Sequence, residues 1–304
     1  MTSARAATFH RMSRTTVVIA THNRAADLSR TLDELAALPE RPPIIVVDNA
    51  STDGTAQRVA NRFPTVRVLR MPRNLGAVAR NHGVRAAETP YVAFSDDDSW
   101  WAPGALAEAE RILDEAPRLA VIAARTLVGP RREIDPVNLL MWRSPLPQRR
   151  TVPDGQPVLG FLACSAVVRR SAFLSVGGFA QFIKVGGEEK LLAYDLAAAD
   201  WQLIYAHTLV AHHHPSPARD PAARRVLELR NDLLIDWLRR PWKRALRSSL
   251  RIAQAAVREP TARKAAISAA AHLPFLLPQR RKLPARVERE VRMLEAGGRY
   301  GIAA

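Results

Sequence analysis

The stretch Tyr91–Leu106, YVAFSDDDSWWAPGAL, sets a short apolar run directly in front of three adjacent aspartates. Mutual repulsion disfavours such a carboxylate cluster unless positive charge sits among it. The run YVAF has the composition of a buried strand, so Asp96, Asp97 and Asp98 fall at its carboxyl end. Hard divalent cations such as Mg2+ and Mn2+ take oxygen ligands, and Mg2+ is commonly held by one or two carboxylates together with substrate phosphates. The plain alternative is a solvated acidic turn. The place of the cluster behind a buried strand favours a metal or nucleotide site.

Working outward, the same scheme repeats. TTVVIATHN (residues 15–23) is a β-branched run ending in polar residues, and the next segment has Leu28, Leu32, Leu35 and Leu38 at helical spacing, closed by Pro39. A second strand at Ile44–Val47 leads through a turn-rich loop into a helix; a third at Val66–Leu69 leads through RNLGAVARNHG into another. Strands alternating with helices predict an α/β fold, a mostly parallel sheet with helices on both faces. Ligands of such sheets bind outside the carboxyl ends of the strands. The polar clusters THNR, DNASTDG and SDDDS all fall at those ends.

Residues 107–190 are less regular, with a strand-like run and a Gly-Gly turn in VLGFLACSAVVRRSAFLSVGGF. A helix is predicted from about Glu188 to Ala199, followed by a short strand. From Arg219 the chain turns helical and basic, with Val226, Leu229, Leu233, Trp237 and Leu238 forming an apolar stripe interrupted at Pro241. The expected organisation is a tail over 1–14, a domain over 15–218 and a helical C-terminal extension over 219–304.

Composition limits the setting. The 304 residues are 47% hydrophobic and 24% charged, as in a globular protein. A single cysteine, Cys164, excludes an internal disulfide framework and suggests a reducing compartment. MTSARAATFHRMSR has no apolar core, so no secretory signal is expected. No window approaches the roughly 18 uncharged apolar residues of a membrane span. The formal net charge is +16, and residues 219–304 hold 20 positive against 8 negative side chains. A cytoplasmic location is therefore expected, with peripheral attachment to the inner face of the plasma membrane as an option the basic extension opens.

Four further motifs carry chemistry, each with a plain counterpart. In VVDNASTDGT, Asp48 and Asp53 can accept hydrogen bonds from ribose hydroxyls or a base edge, and Asn49 and Ser51 can orient them; the same letters make an ordinary turn with a helix cap. In RNLGAVARNHG, Arg73 and Arg80 lie seven residues apart, so both could face one side of a helix near a diphosphate, although arginine supplies 40 of the 45 basic residues. In VGGEEKLLAYDL the glycines allow close approach of backbone and ligand. Glu188 and Glu189 would occupy a first helical turn, where the helix dipole stabilises them without any catalysis. In AHHHPS, three histidines alternate faces on a strand, so one is as good a candidate for a metal ligand as for a structural role.

The order of these motifs is more specific than any one of them. VVIATHNR, IIVVDNASTDGT, RNLGAVARNHG, FSDDDSW, GGF, GGEE and YAHTLVAHHHPS together resemble the family 2 glycosyltransferases of the GT-A fold, nearest to bacterial members that act on cell-surface polysaccharide or glycolipid. The resemblance covers about residues 15–216. It implies a divalent cation, Mg2+ or Mn2+, bridging the diphosphate of a nucleotide-sugar. Asp96 would face the ribose with Asp97 in support, and Asp98 the metal. Thr21, Asn23, Arg24, Asp48, Asn49, Asp53, Asn74 and Arg80 would line the nucleotide-sugar pocket. The general base falls on Glu189, beside Glu188, and a metal-side histidine on His212 or His213. The chain departs from the family pattern in carrying Glu for Asp at the base position and GGFAQ (residues 177–181) where GGFDE is usual.

The implied reaction is inversion at the anomeric carbon, with a saccharide or lipid-linked acceptor as second substrate. A nucleotidyltransferase would share the acidic strand end but has no need of GGEE. A basic nucleic-acid- or membrane-binding protein would explain the extension alone; no recognised nucleic-acid motif is present, so no specific nucleic-acid partner is expected. A non-catalytic relative is the reading the two departures leave open. A dehydrogenase is disfavoured because the first strand lacks G-x-G-x-x-G.

Overall fold

The computed structural model describes residues 13–148, 155–215 and 221–296. Its strands are β1 (Thr15–Thr21), β2 (Ile44–Asp48), β3 (Arg67–Arg70), β4 (Tyr91–Asp96), β5 (Ser99–Trp101), β6 (Leu119–Val128), β7 (Glu133–Ile134), β8 (Gln156–Pro157), β9 (Ala166–Arg169) and β10 (Gln202–His213). They form one curled sheet in the order β3-β2-β1-β4-β9-β6-β10-β5, with β7 on β6 and β8 on β10. β1, β2, β3 and β4 run parallel, as do β6 and β10. β9 runs antiparallel between β4 and β6. The sheet is therefore mostly parallel, as expected, with antiparallel pairings confined to its second half.

Period-two alternation builds the two cores. Val17, Ile19, Ile44, Val46 and Ala93 point to one face, while Val18, Ile45, Val47, Val92 and Phe94 point to the other. The first face is covered by α1 (Ala25–Ala36), α2 (Thr55–Arg62) and α4 (Ala105–Glu115), through Leu28, Leu32 and Leu35, Val59, and Leu106, Ile112 and Leu113. The second is covered by α3 (Ala79–Ala86), α5 (Pro136–Trp142), α6 (Arg170–Ser175) and α7 (Glu188–Ala198). Burying each such aliphatic side chain contributes about 1.5–3 kcal/mol before entropy is counted.

Several elements differ from the sequence reading. Arg73 lies in an exposed loop ahead of a 3-10 turn at Gly76–Val78, outside the helix that carries Arg80. The strand after α7 is long, twelve residues, because it pairs with β6, β5 and β8 at once.

The extension folds as α8 (Pro221–Arg239), α9 (Trp242–Arg258), α10 (Pro260–Leu276) and α11 (Ala285–Ala296). The expected boundary at 218/219, and residues 1–12 of the expected N-terminal tail, lie outside the described residues. Part of the extension's positive charge is used internally. Arg240, 1% exposed, is held by Glu288 at 2.7 Å and Glu295 at 2.8 Å. Arg239 pairs with Asp195 of α7 at 2.5 Å, and Arg286 with Asp200 at 2.6 Å. These ion pairs fasten α8 and α11 to the end of α7.

Candidate active site

Register brings the polar strand ends together. Thr21 at the end of β1 pairs with Asp48 of β2, and the preceding Ala20 with Asp96 of β4. Thr21 donates its hydroxyl to Asp97 at 2.9 Å, and Thr31 donates to the Asp97 carbonyl, also at 2.9 Å. Burial, then the neighbouring charges of Asp96 and Asp98, push Asp97 up to about 7.

Asp96 forms an ion pair with the buried Arg80 of α3. Burial works against the Arg80 charge, but Asp96, Glu188 and Glu189 more than offset it and hold its pKa above the ordinary value. One guanidinium thus answers both carboxylate groups, the strand-end triad and the first turn of α7.

Asp98 is 1% exposed and lies 3.3 Å from Nε2 of His213. Donor atoms of Asp96, Cys164 and His213 lie within 4.8 Å of one another. They offer a cation one carboxylate oxygen, one imidazole nitrogen and one sulfur, of which hard ions such as Mg2+ and Mn2+ favour the oxygen. His212, one residue earlier on the strand, turns the other way and stacks on Trp100 with ring centroids 5.8 Å apart. Burial, with Arg132 and His214 adding to it, lowers its pKa. Cys164 was not singled out by sequence reasoning, since a lone cysteine carries no spacing signal. Its thiol is pushed well up, by burial first and then by Asp96, Asp98 and Glu189.

Glu188 and Glu189 open α7 behind Gly186 and Gly187, both at positive φ. Glu188 is raised to about 8 by burial and by Glu189. Glu189 is raised too, by burial, and accepts from the Ala163 N–H at 3.4 Å. The loop ahead of them is held from two sides. Asn231 of α8 donates to the Val185 carbonyl at 2.9 Å, and Ala77 donates its N–H to Lys184 at 2.7 Å. A side chain at Gly76 would collide with the Lys184 backbone, so only glycine lets these segments meet.

Other sequence candidates serve the loops themselves. Asp53 accepts from Thr55 N–H at 3.0 Å and Ala25 N–H at 3.3 Å, linking the starts of α1 and α2. The Thr55 hydroxyl bond is the main cause of its lowered pKa. Asn49 donates to the Gly76 carbonyl at 3.2 Å and accepts from Leu75 N–H at 3.1 Å. Asn23, at φ 54°, accepts from Thr52 N–H at 2.8 Å, and Asn74 accepts from Gly76 N–H at 2.9 Å. Arg24 pairs with Asp27 at 3.2 Å. Asp48 is fully buried, accepts from Ser51 N–H at 3.1 Å, and has Arg70 at 3.6 Å. In the GGFAQ turn, Asn81 donates to the Phe179 carbonyl at 2.8 Å and accepts its N–H at 3.0 Å.

A mostly parallel sheet with acidic and polar strand ends opening on a glycine-preceded acidic helix is the layout of the GT-A glycosyltransferases. Two solved structures share the fold: a mannosyltransferase of Pyrobaculum calidifontis in complex with GDP-Man and Mn2+ (TM-score 0.56, 23% identity, 96% of this chain and 77% of that one), and GalNAc-T7 with UDP, GalNAc and Mn2+ (TM-score 0.63, 15% identity, 95% and 58%). Residues 16–177 match the family described as Glycosyl transferase family 2, and the chain belongs to it. It is 30% identical over 283 residues to an N-acetylglucosaminyl-diphospho-decaprenol L-rhamnosyltransferase of Mycobacterium tuberculosis, covering 77% of this chain and 89% of that one.

Proposed function

We propose that this family 2 glycosyltransferase inverts the anomeric carbon while moving a hexosyl or deoxyhexosyl unit from a nucleotide-sugar to a hydroxyl of a lipid-linked saccharide. The observation that carries the reading is the position of Arg80, ion-paired with Asp96 and within electrostatic reach of Glu188 and Glu189. It makes the acidic strand end and the α7 acids two sides of one site. The lipid-linked acceptor is supported by the diphospho-decaprenol relative. In this reading residues 15–218 are the catalytic domain and the helices from 219 an extension that braces it.

In this mechanism Thr21, Asn23, Arg24, Asp48, Asn49, Asp53, Asn74 and Arg80 shape the nucleotide-sugar pocket. Asp96 meets the ribose, and Asp97 is steadied by Thr21. Asp98 and His213, with Asp96 alongside, would hold a Mg2+ or Mn2+ ion. A bound cation of this kind offsets charge gathering on a departing diphosphate. Glu189 takes the proton from the acceptor hydroxyl. Burial raises the Glu189 pKa above its ordinary value, which makes its carboxylate a stronger base than an exposed one.

Incubating the full chain with a panel of nucleotide-sugars and prenyl-diphosphate-linked N-acetylglucosamine, and following nucleoside diphosphate release and product mass, tests the proposal. Acceptor-dependent release with an inverted anomeric product is expected. Transfer with retained configuration, or nucleotidyl rather than glycosyl transfer, overturns it.

A further inference from the structure

Helix α9 has three distinct sides. At 100° per residue, Trp242, Leu246, Leu250 and Val257 fall within an arc of about 80°. All four are exposed, from 52% to 80%. Lys243, Arg247, Arg251 and Arg258 occupy the neighbouring arc, at about 100–180° from Trp242. The remaining side, with Ala245, Ser248 and Ile252, packs inward. Helix α10, packed against both α8 and α9, adds Ile267 and Phe275, 66% and 80% exposed and eight residues apart, with Arg263 and Lys264 exposed near Ile267. Among the described residues, Lys243, Arg247, Arg258, Arg263 and Lys264 have no ion-pair partner, unlike the inward Arg239 and Arg240.

An aliphatic stripe left to water over four turns is costly, and surfaces of this kind mark interaction sites. We infer that the exposed faces of α9 and α10 form a docking surface for an anionic lipid bilayer, with α9 lying in the plane of the interface. The pattern of a Trp- and Leu-bearing stripe beside a basic one is that of helices that bury one side at the headgroup boundary. Charge selects this occupant over a second copy of the chain, because each copy carries a formal +16 and would bring basic rows together. Trp242 is a rigid end for the stripe, fixed edge-on to Trp237 with ring centroids 5.3 Å apart and covered by the Arg280 guanidinium at 3.9 Å. No helix among the described residues is long and apolar enough to cross a membrane, so attachment would be peripheral. For its purpose, reaching a membrane-embedded acceptor, the inference rests on the glycosyltransferase reading; the surface itself is read from the two helices.

Vesicle flotation of the full chain tests it, because α8 holds the catalytic loop and the extension cannot be cut away. Floating with vesicles of phosphatidylcholine and phosphatidylglycerol at low salt is expected, with little on pure phosphatidylcholine and release by high salt. Leu246→Glu combined with Leu250→Glu should abolish flotation. Lys243→Gln and Arg247→Gln should each weaken it about fivefold. Donor binding by calorimetry should be unchanged in all these variants, which also shows that they fold. Equal flotation on neutral and anionic vesicles, none on either, or retention by the double glutamate variant overturns the inference. A concentration-dependent dimer that the glutamate variant dissolves assigns the surface to a second copy and overturns it as well. Flotation without any transfer activity in the wild type would sink the enzymatic reading and leave the surface standing.

Discussion

Asn231, fully buried on α8, donates its amide to the Val185 carbonyl at 2.9 Å, and so a residue of the extension holds the backbone that presents Glu188 and Glu189. Its own Oδ1 accepts from Arg230 at 2.6 Å, which fixes the amide's orientation. Asn231→Ala removes the donor and leaves two loop carbonyls short of a partner. Turnover should fall by up to about 100-fold, the scale of a misplaced catalytic group, while donor affinity stays within about twofold. Steady-state kinetics beside donor calorimetry separates this from simple unfolding, which would lower both.

Glu189→Gln keeps the size of the proposed base and removes its basicity. A fall in turnover of about 100-fold or more is expected, in line with general-base contributions, with donor binding little changed. Should Glu188→Gln abolish turnover and Glu189→Gln spare it, the base is one residue earlier.

Glu188 also makes stability depend on pH in a definite direction. Its native pKa of about 8 lies above the ordinary 4.5, so the folded state binds the extra proton between these values. Stability from the neutral carboxyl is complete below the unfolded pKa and is lost as pH rises through the folded one. Glu188→Gln, neutral throughout, should therefore gain on the wild type as pH climbs from 5 to 8. Each unit is worth about 1.4 kcal/mol, which makes several kcal/mol the ceiling. Parallel thermal melts across that range read the gap; a gap that stays flat refutes the buried acid.

Nucleotide affinity should depend on a divalent cation through Asp98, which lies 3.3 Å from His213. Calorimetry with UDP, GDP and dTDP should show tighter binding with Mn2+ than with EDTA in the wild type, and a much smaller difference in Asp98→Ala. His212→Ala, which removes a ring stacked on Trp100, should keep the Mn2+ effect. Equal affinities with and without the ion in both Asp98 proteins would remove the cation from the site.

In the first half of the fold β1, β2 and β4 were legible because they are buried on both sides. Such strands read as unbroken β-branched runs, as in VVIA and IIVV, and the leucines of α1 keep helical spacing between them. The place of β9 was not legible. AVVR reads the same whether it joins an edge or inserts antiparallel between β4 and β6, and only long-range pairing decides. At the site, the sequence named Thr21, Arg80 and His213 beside the three aspartates but not which of them pair. Which histidine of the triplet faces Asp98 is set by the register of β10 on β5, Ala211 opposite Trp101, which no local pattern encodes. Asn231 looks like any polar residue on an amphipathic helix, and its contact with a loop 45 residues away leaves no trace in composition.

The Arg240 cluster bears on where this chain can be shortened. A guanidinium 1% exposed and gripped by Glu288 and Glu295 loses both of its nearest carboxylates without α11, leaving Asp236 of α8 at 3.7 Å. Cutting before Ala285 would strand a buried cation, an error worth about 3–5 kcal/mol when one partner of a buried pair is lost. The same helix end carries Arg239, bound to Asp195 of α7, so the damage would travel toward the helix that carries the proposed base. The last helix acts as a buckle: a frameshift that removes α11, far in sequence from every acid proposed for the site, should lower activity by loosening α7.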